Sequence, residues 1–330
     1  MIPENEYLFS SSFLRAGEGI GSASSRTMRM LEASSAEQLY QTAAEVFRIP
    51  MPSDGKTVFD AAFSDAVEKV RSAVPDASVY DPLLYKYDCT NIKLAIKCAV
   101  QDIRAFQDFY TCGTVSAAQM EENLQKDTAH GLPPAMAEAA QIARQEYAKT
   151  GEARCIDLLL DRACFVDMSA AANAENVPLI QKIVCMRADF ANVLACMRIR
   201  SGGVAADAAR TLMNRAFVPG GQVELSVFVN DESGCADIGQ ISGCLGDCYV
   251  RDAVRHAVAA ADIGRAQKIF DEAVLAACQP YRFKPFGPEI AVRYLLIREA
   301  EITNGRIIAS RFSAGTDADT IRERLREVDV

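Results

Sequence analysis

Histidine is nearly absent from this chain: His130 and His256 are the two in 330 residues. A serine, threonine or cysteine nucleophile needs a base beside it, and His256 has no sequence-local partner. His256 falls in RDAVRHAVAAAD, an amphipathic helical stretch, and reads as a surface or boundary residue. Metal chemistry has as little to build on. Cys244 and Cys248 are four apart, which suits one helix face, and no second cysteine pair has finger-like spacing. Cys235 joined to these two is the only cysteine set to consider for a metal. A phosphate loop is missing as well. GEGIGS (17–22) has three glycines but no lysine and no preceding strand, and SRFSAG (310–315) is equally weak. No catalytic, cofactor-binding or metal-ligating residue is expected, and no cofactor.

No stretch approaches the ~20 apolar residues that a membrane-crossing helix needs. The opening MIPENEYLF carries two acids and no basic cluster, unlike a signal peptide. Nor is there a dense basic patch. Net charge is −9, from 44 acidic and 35 basic residues, and basic stretches such as Arg282-Phe283-Lys284 and Arg198-Ile199-Arg200 are short. Such a chain repels nucleic-acid backbones, so no nucleic-acid partner is expected. The eleven cysteines do not suggest a disulfide framework, because the count is odd and the chain long. Most, including Cys155, Cys164, Cys185, Cys196 and Cys278, sit inside apolar runs. They read as reduced, core-filling residues of a cytoplasmic protein.

What the chain does have is helical spacing almost throughout. Residues 35–49 place Leu39, Ala43, Val46 and Phe47 on one side, with Ser34 or Ser35 as the cap. Further helices are expected over 57–73, 91–110, from Pro133-Pro134 to about Lys149 with Gly151 as the stop, 153–165, 177–200 and 205–216. PGGQVELSVFVNDESG (219–234) interrupts the pattern and reads as an irregular linker with one extended stretch. Helices at 252–261 and 265–277, a long one over 288–312 and a short charged one over 316–328 complete the chain.

Three strings recur. DCTNIKLAI (88–96), DFANVLACM (189–197) and EITNGRIIA (301–309) each hold an acid, two residues, an asparagine and an apolar run. Each is preceded by a second string: FDAAFSDAV (59–67), IDLLLDRAC (156–164) and FDEAVLAAC (270–278). From the first aspartate of that string to the later asparagine is 31, 35 and 33 residues. Glycine then follows each long helix, at Gly113, Gly202-Gly203 and Gly315. Three elements in one order, three times, indicate three helical units. They are expected over 1–128, 129–218 and 235–330, with 219–234 as linker.

In the last long helix, Glu301 and Arg298 lie inside the apolar arc of Ile290, Tyr294, Ile297 and Ile308. A lone carboxylate there would be costly, so the two are expected to pair across one turn. Asn304 is placed to hold a neighbouring backbone, and Asp88–Asn91 and Asp189–Asn192 are expected to act as the equivalent fixing points. Glu299 and Arg306 face the opposite side.

The C-terminal passage resembles the end of the C subunit of the archaeal and bacterial V-type (A-type) ATPase/ATP synthase, whose eukaryotic counterpart is the d subunit. The matching residues are Pro288, Tyr294–Ile297, Arg298, Glu299, Glu301, Ile302, Asn304, Arg306 and Ile308, then Ile321, Arg322 and Leu325. Tyr7, Arg15 and Glu18, the N-x-K step at Asn91 and Lys93, and the I-D-x-x-x-D step at Ile156, Asp157 and Asp161 extend the likeness. Residues 219–260 match nothing. The resemblance implies an all-α fold with three similar units arranged as a funnel, and no nucleotide site. It implies a non-catalytic rotor adapter, peripheral on the cytoplasmic side of the membrane. Its partners would be the D and F subunits of the central stalk and the membrane rotor ring. Arg282, Lys284, Arg293 and Arg306 are candidate interface residues. Two other readings remain at this point: a helical-repeat binding scaffold unrelated to ATPases, and a metal- or thiol-dependent enzyme using Cys235, Cys244, Cys248 or His256.

Overall fold

The computed structural model describes residues 2–17, 22–53, 57–101, 109–126, 128–260 and 262–329. The GEGIGS segment, with Glu18, lies almost wholly outside them. In chain order the helices are α1 (Leu8–Gly17), α2 (Ala23–Leu31), α3 (Ala36–Phe47), α4 (Val58–Ala73), α5 (Asp81–Gln101), α6 (Ala117–Lys126), α7 (Pro134–Thr150) and α8 (Arg154–Glu175). Then come α9 (Pro178–Ser201), α10 (Ala206–Ala216), α11 (Leu225–Phe228), α12 (Ile238–Gly243), α13 (Cys248–Ala260), α14 (Ile263–Ala276), α15 (Pro288–Ala314) and α16 (Ala318–Arg324). A two-residue antiparallel ribbon, β1 (Val229–Asn230) and β2 (Gly234–Cys235), is the only sheet among the described residues. The fold is all-α, as expected. No described helix is long and apolar enough to cross a membrane.

Local chemistry sets many of the helix ends. Ser35 accepts from the Gln38 N–H at 3.1 Å, and Thr57 caps α4 through the Asp60 N–H. Pro134 opens α7 and Gly151, at φ 69°, closes it. The α7 start has no cap of its own. Asp167, buried on α8, accepts from the N–H groups of Ala135 and Met136 at 3.0 and 2.9 Å, satisfying donors that would otherwise be orphaned.

Two compact units divide the chain. The first joins Met1–Ser78 to Asp271–Val330. Its centre is α15, against which α1, α2, α3, α4 and α16 pack. From Glu289 to Ile302 only Arg293 and Glu299 escape burial. The arc read from the sequence is therefore too narrow: Val292, Leu296 and Ala300 are buried too, because neighbours contact this helix from several sides. Gly305 has no side chain for a reason. A Cβ there would sit 2.2 Å from Cε1 of the Phe59 ring on α4.

The second unit is Val79–Phe270. Here α8 packs against α5, α7 and α9, and α9 against α10. Two helices extend well beyond their sequence expectations. The α5 helix begins at Asp81, ten residues before Asn91, and α8 runs on to Glu175 through an alanine-rich stretch of high helix propensity. Tyr110, expected as a helix end, is non-helical.

The two compact units meet at 78/79 and 270/271, positions set by contact and not by sequence recurrence. The early strings of the first two repeats lie against the long helix of a different repeat, and the third is divided at 270/271. Asp60 pairs with Arg306 on α15, Asp157 and Asp161 pair with Lys97 and Lys93 on α5 at 2.7 and 2.5 Å, and Phe270 stacks on Phe190 of α9 with centroids 4.2 Å apart. Asp271, next to Phe270, pairs instead with Arg326 of its own repeat at 2.8 Å, so contact crosses between repeats for the first two strings.

Gly305→Ala tests the closest of these contacts. Alanine would add about 1 kcal/mol of helix propensity, yet its methyl meets a packed aromatic ring. The expected net loss is about 1–3 kcal/mol, read as a lower urea midpoint by circular dichroism. Adding Phe59→Leu should make the combined loss smaller than the sum of the two single losses. An unchanged midpoint for Gly305→Ala would show that the ring yields freely.

Candidate functional site

The three acid-x-x-Asn strings lie on α5, α9 and α15, and in each the asparagine is fully buried. Each asparagine side chain grips both backbone groups of one residue in a distant segment. The Asn91 amide donates to the Tyr110 carbonyl at 2.9 Å and accepts from the Tyr110 N–H at 2.8 Å. Asn192 does the same to Val218, at 2.9 and 2.8 Å. Asn304 does the same to Arg326, at 3.0 and 2.8 Å. A primary amide carries a donor and an acceptor side by side, so it can replace a neighbouring strand for one residue. Aspartate, with acceptors only, cannot.

The acid one turn earlier holds the next part of the same segment in the first two strings. Asp88 accepts from the Thr114 N–H and hydroxyl at 2.9 and 2.7 Å and from the Val115 N–H at 3.1 Å. Asp189 accepts from the Gln222 and Val223 N–H groups at 3.1 and 3.2 Å. The offsets agree: Gly113, Thr114 and Val115 follow Tyr110 as Gly221, Gln222 and Val223 follow Val218. A Cβ on either glycine would lie 2.2 Å from the aspartate oxygen. The counterpart of Gly113 is therefore Gly221, not Gly202-Gly203, which end α9. The segment expected as linker, 219–234, contains part of the second clasp.

The third string departs from this pattern. Asp329 stands where the others have glycine, and its carboxylate takes the Ser24 N–H at 3.1 Å. Glu301, one methylene longer than aspartate, turns to arginines instead. Its oxygens accept from Arg26 Nε at 2.6 Å and from Arg298 at 2.9 Å. Arg298 also donates to the Gly17 carbonyl at 2.9 Å and lies over the Tyr294 ring at 5.4 Å. Burial alone would lower the Arg298 pKa, but Glu301 and Tyr294 together outweigh it and hold it above the ordinary value. The Arg298–Glu301 pair is the one the sequence spacing anticipates. Arg26 was not legible, being 275 residues away.

Of the candidate interface cations, Lys284 and Arg306 are committed inside the first unit. Lys284 bridges Glu4 and Glu289 at 2.7 and 2.9 Å, and Arg306 holds Asp60. Burial pulls the Lys284 pKa down, while the two carboxylates pull harder and raise it. Arg293 is half-buried. Arg282 is exposed beside Phe283, itself 86% exposed. The thiol and histidine candidates do not converge. Cys235 is buried, while Cys244 closes α12 and Cys248 opens α13, both exposed, so these two do not share a helix. His256 is exposed on α13. No group of three or more metal-capable side chains occurs among the described residues.

Asn192→Ala would leave the Val218 N–H and carbonyl unpaired in a residue that is 3% exposed. The expected loss is about 2–4 kcal/mol, measured by urea unfolding. Asp189 supplies a pH test. Burial raises its pKa above 3.8, against the pull of the Gln222 and Val223 N–H groups. The folded chain thus takes up this proton before the unfolded one. Its contribution is complete below the unfolded pKa and lost as pH rises through the folded one. The stability gap between wild type and the non-titrating Asp189→Asn should therefore widen on acidification from neutral pH; a pH-independent gap contradicts this. At the third string, Arg26→Met should cost about 3 kcal/mol by stranding part of a buried charge, and Glu301→Gln in the same chain should restore some of it.

Comparison with known proteins covers more of the chain than the motifs do. The model of the ATP synthase (C/AC39) subunit family matches residues 35–324, including 219–260, where motif reading finds no counterpart. Over 151 residues the chain is 24% identical to the C subunit of the A-type ATP synthase of Desulfurococcus sp. (strain SY), an alignment that covers 46% of this chain and 40% of that protein. Over 154 residues it is 25% identical to the C subunit of the A-type ATP synthase of Pyrococcus abyssi (strain GE5 / Orsay), again 46% and 40%. These alignments span less than half the length of those relatives, whereas the family match runs through most of the present chain. The chain belongs to the ATP synthase (C/AC39) subunit family.

Proposed function

We propose that this chain is a non-catalytic rotor adapter of a V/A-type ATPase or ATP synthase. In that role it joins the D and F subunits of the central stalk to the membrane rotor ring, from the cytoplasmic face. It passes torque between ATP chemistry and ion movement and performs no reaction of its own. The observation that carries the reading is the family match over residues 35–324. The architecture suits the task. Torque transmission calls for stiffness, and the three long helices α5, α9 and α15 are each tied to a distant backbone by a buried asparagine. The 27-residue α15 is about 40 Å long at ~1.5 Å per residue. A peripheral adapter needs no bilayer-crossing helix, and an interface can use the exposed Arg282 and Phe283.

Co-expression with the same organism's D and F subunits tests this, with size-exclusion chromatography and light scattering as the readout. The expected result is a stable 1:1:1 species. Three folded proteins that remain apart would contradict the adapter reading.

A further inference from the structure

The second unit carries an open groove of about 350 Å³ between α8, α9 and α10 that no described segment fills. On α8 its wall is Arg154, Leu158, Asp161 and Phe165, spaced by four, three and four residues. On α9 it is Ala191, Leu194, Ala195, Arg198 and Ile199, spaced by three, one, three and one. These are the intervals of single helix faces. Two such stripes side by side form the ridges against which a further helix packs. From Arg154 to Phe165 the α8 wall runs about 16 Å at ~1.5 Å per residue, or three turns.

The charge of the groove identifies the occupant further. Asp161 is neutralised by Lys93 at 2.5 Å. Arg154 and Arg198 are exposed and make no ion pair among the described residues. Both lie at one end of the groove. Asn176, at φ 51°, and Val177 are the whole turn between α8 and α9, so these neighbours run antiparallel. Arg154 opens α8 and Arg198 stands in the last turn of α9, which brings them to the end away from that turn. The local charge is positive in a chain of net charge −9.

We propose that this groove is a docking site for an amphipathic helix of about three turns from a separate protein, with apolar anchors along one face and carboxylates in its last turn. The leucine-type anchors seat between the α8 and α9 stripes. The carboxylates meet Arg154 and Arg198, where the negative end of the incoming helix dipole adds to the attraction. The groove lies wholly within the second unit and the inference is independent of the rotor-adapter reading.

The probe is a stapled, fluorescein-labelled 14-residue peptide with leucines at three- and four-residue spacing and two glutamates in its last turn. Its control has lysines there. Fluorescence anisotropy with the full chain should show saturable binding of the glutamate peptide, at least tenfold tighter than the lysine control and weakened by salt. Arg154→Glu with Arg198→Glu should reverse the preference between the two peptides. Arg154→Lys with Arg198→Lys should keep it. Circular dichroism and the melting temperature of each variant separate lost docking from lost folding; if the glutamate variant melts early, the lysine variant together with Leu158→Gln carries the test, Leu158→Gln being expected to weaken both peptides. Absence of saturable binding, or equal affinity of the two peptides, overturns the proposal. So does concentration-dependent dimerisation of wild type that the arginine substitutions abolish, because the occupant is then a second copy of this chain.

Discussion

A buried asparagine that satisfies both backbone groups of one distant residue is the constraint on which this structure rests. Backbone N–H and carbonyl groups buried without partners are costly, and the segments at Tyr110, Val218 and Arg326 return to the helices without a sheet to join. The amides of Asn91, Asn192 and Asn304 take the place of that sheet. The paired acid is subordinate. Where it accepts backbone N–H groups, as Asp189 does, burial still works against its charge. In the third string the acid has changed function altogether, to hold Arg26 and Arg298, while the asparagine grip is unaltered. The grip is thus the feature that all three strings share.

The sequence shows the grips only from one side. The acid-x-x-Asn spacing recurs visibly three times, and one turn of separation makes the Arg298–Glu301 pair legible. Their partners are 19, 26 and 22 residues further on, in segments without helical or strand periodicity. The signal that would have found two of them is the shared glycine-x-valine step at Gly113–Val115 and Gly221–Val223. Its function is steric: only glycine lets the aspartate oxygen approach. Compact grouping was not legible, because the early strings of the first two repeats pack on the long helix of another. That crossing is a property of long-range contact, which leaves no periodicity in the local sequence. Likewise α5 and α8 extend beyond the strings that mark them, since propensity and packing carry a helix past its apolar core.

Membership of the ATP synthase (C/AC39) subunit family, with the adapter role proposed above, gives these features a common reading. The reactive side chains that composition makes scarce do not assemble among the described residues. What is assembled instead is a set of long helices fixed at their middles. A backbone fixed at such points resists bending and sliding better than one held by apolar packing alone, because hydrogen bonds are directional and packing is not. Cations such as Lys284 and Arg306 serve that internal order, which leaves Arg282, beside the bare ring of Phe283, as the more open of the candidate contacts.

Amide hydrogen exchange at Tyr110, Val218 and Arg326 would test the central claim most directly. If the asparagine grips hold the fold, these three amides exchange only with unfolding of the unit that contains them, at rates matching the core of α5, α9 and α15. Exchange at the rate of exposed loop amides, with those helix cores still protected, would contradict it.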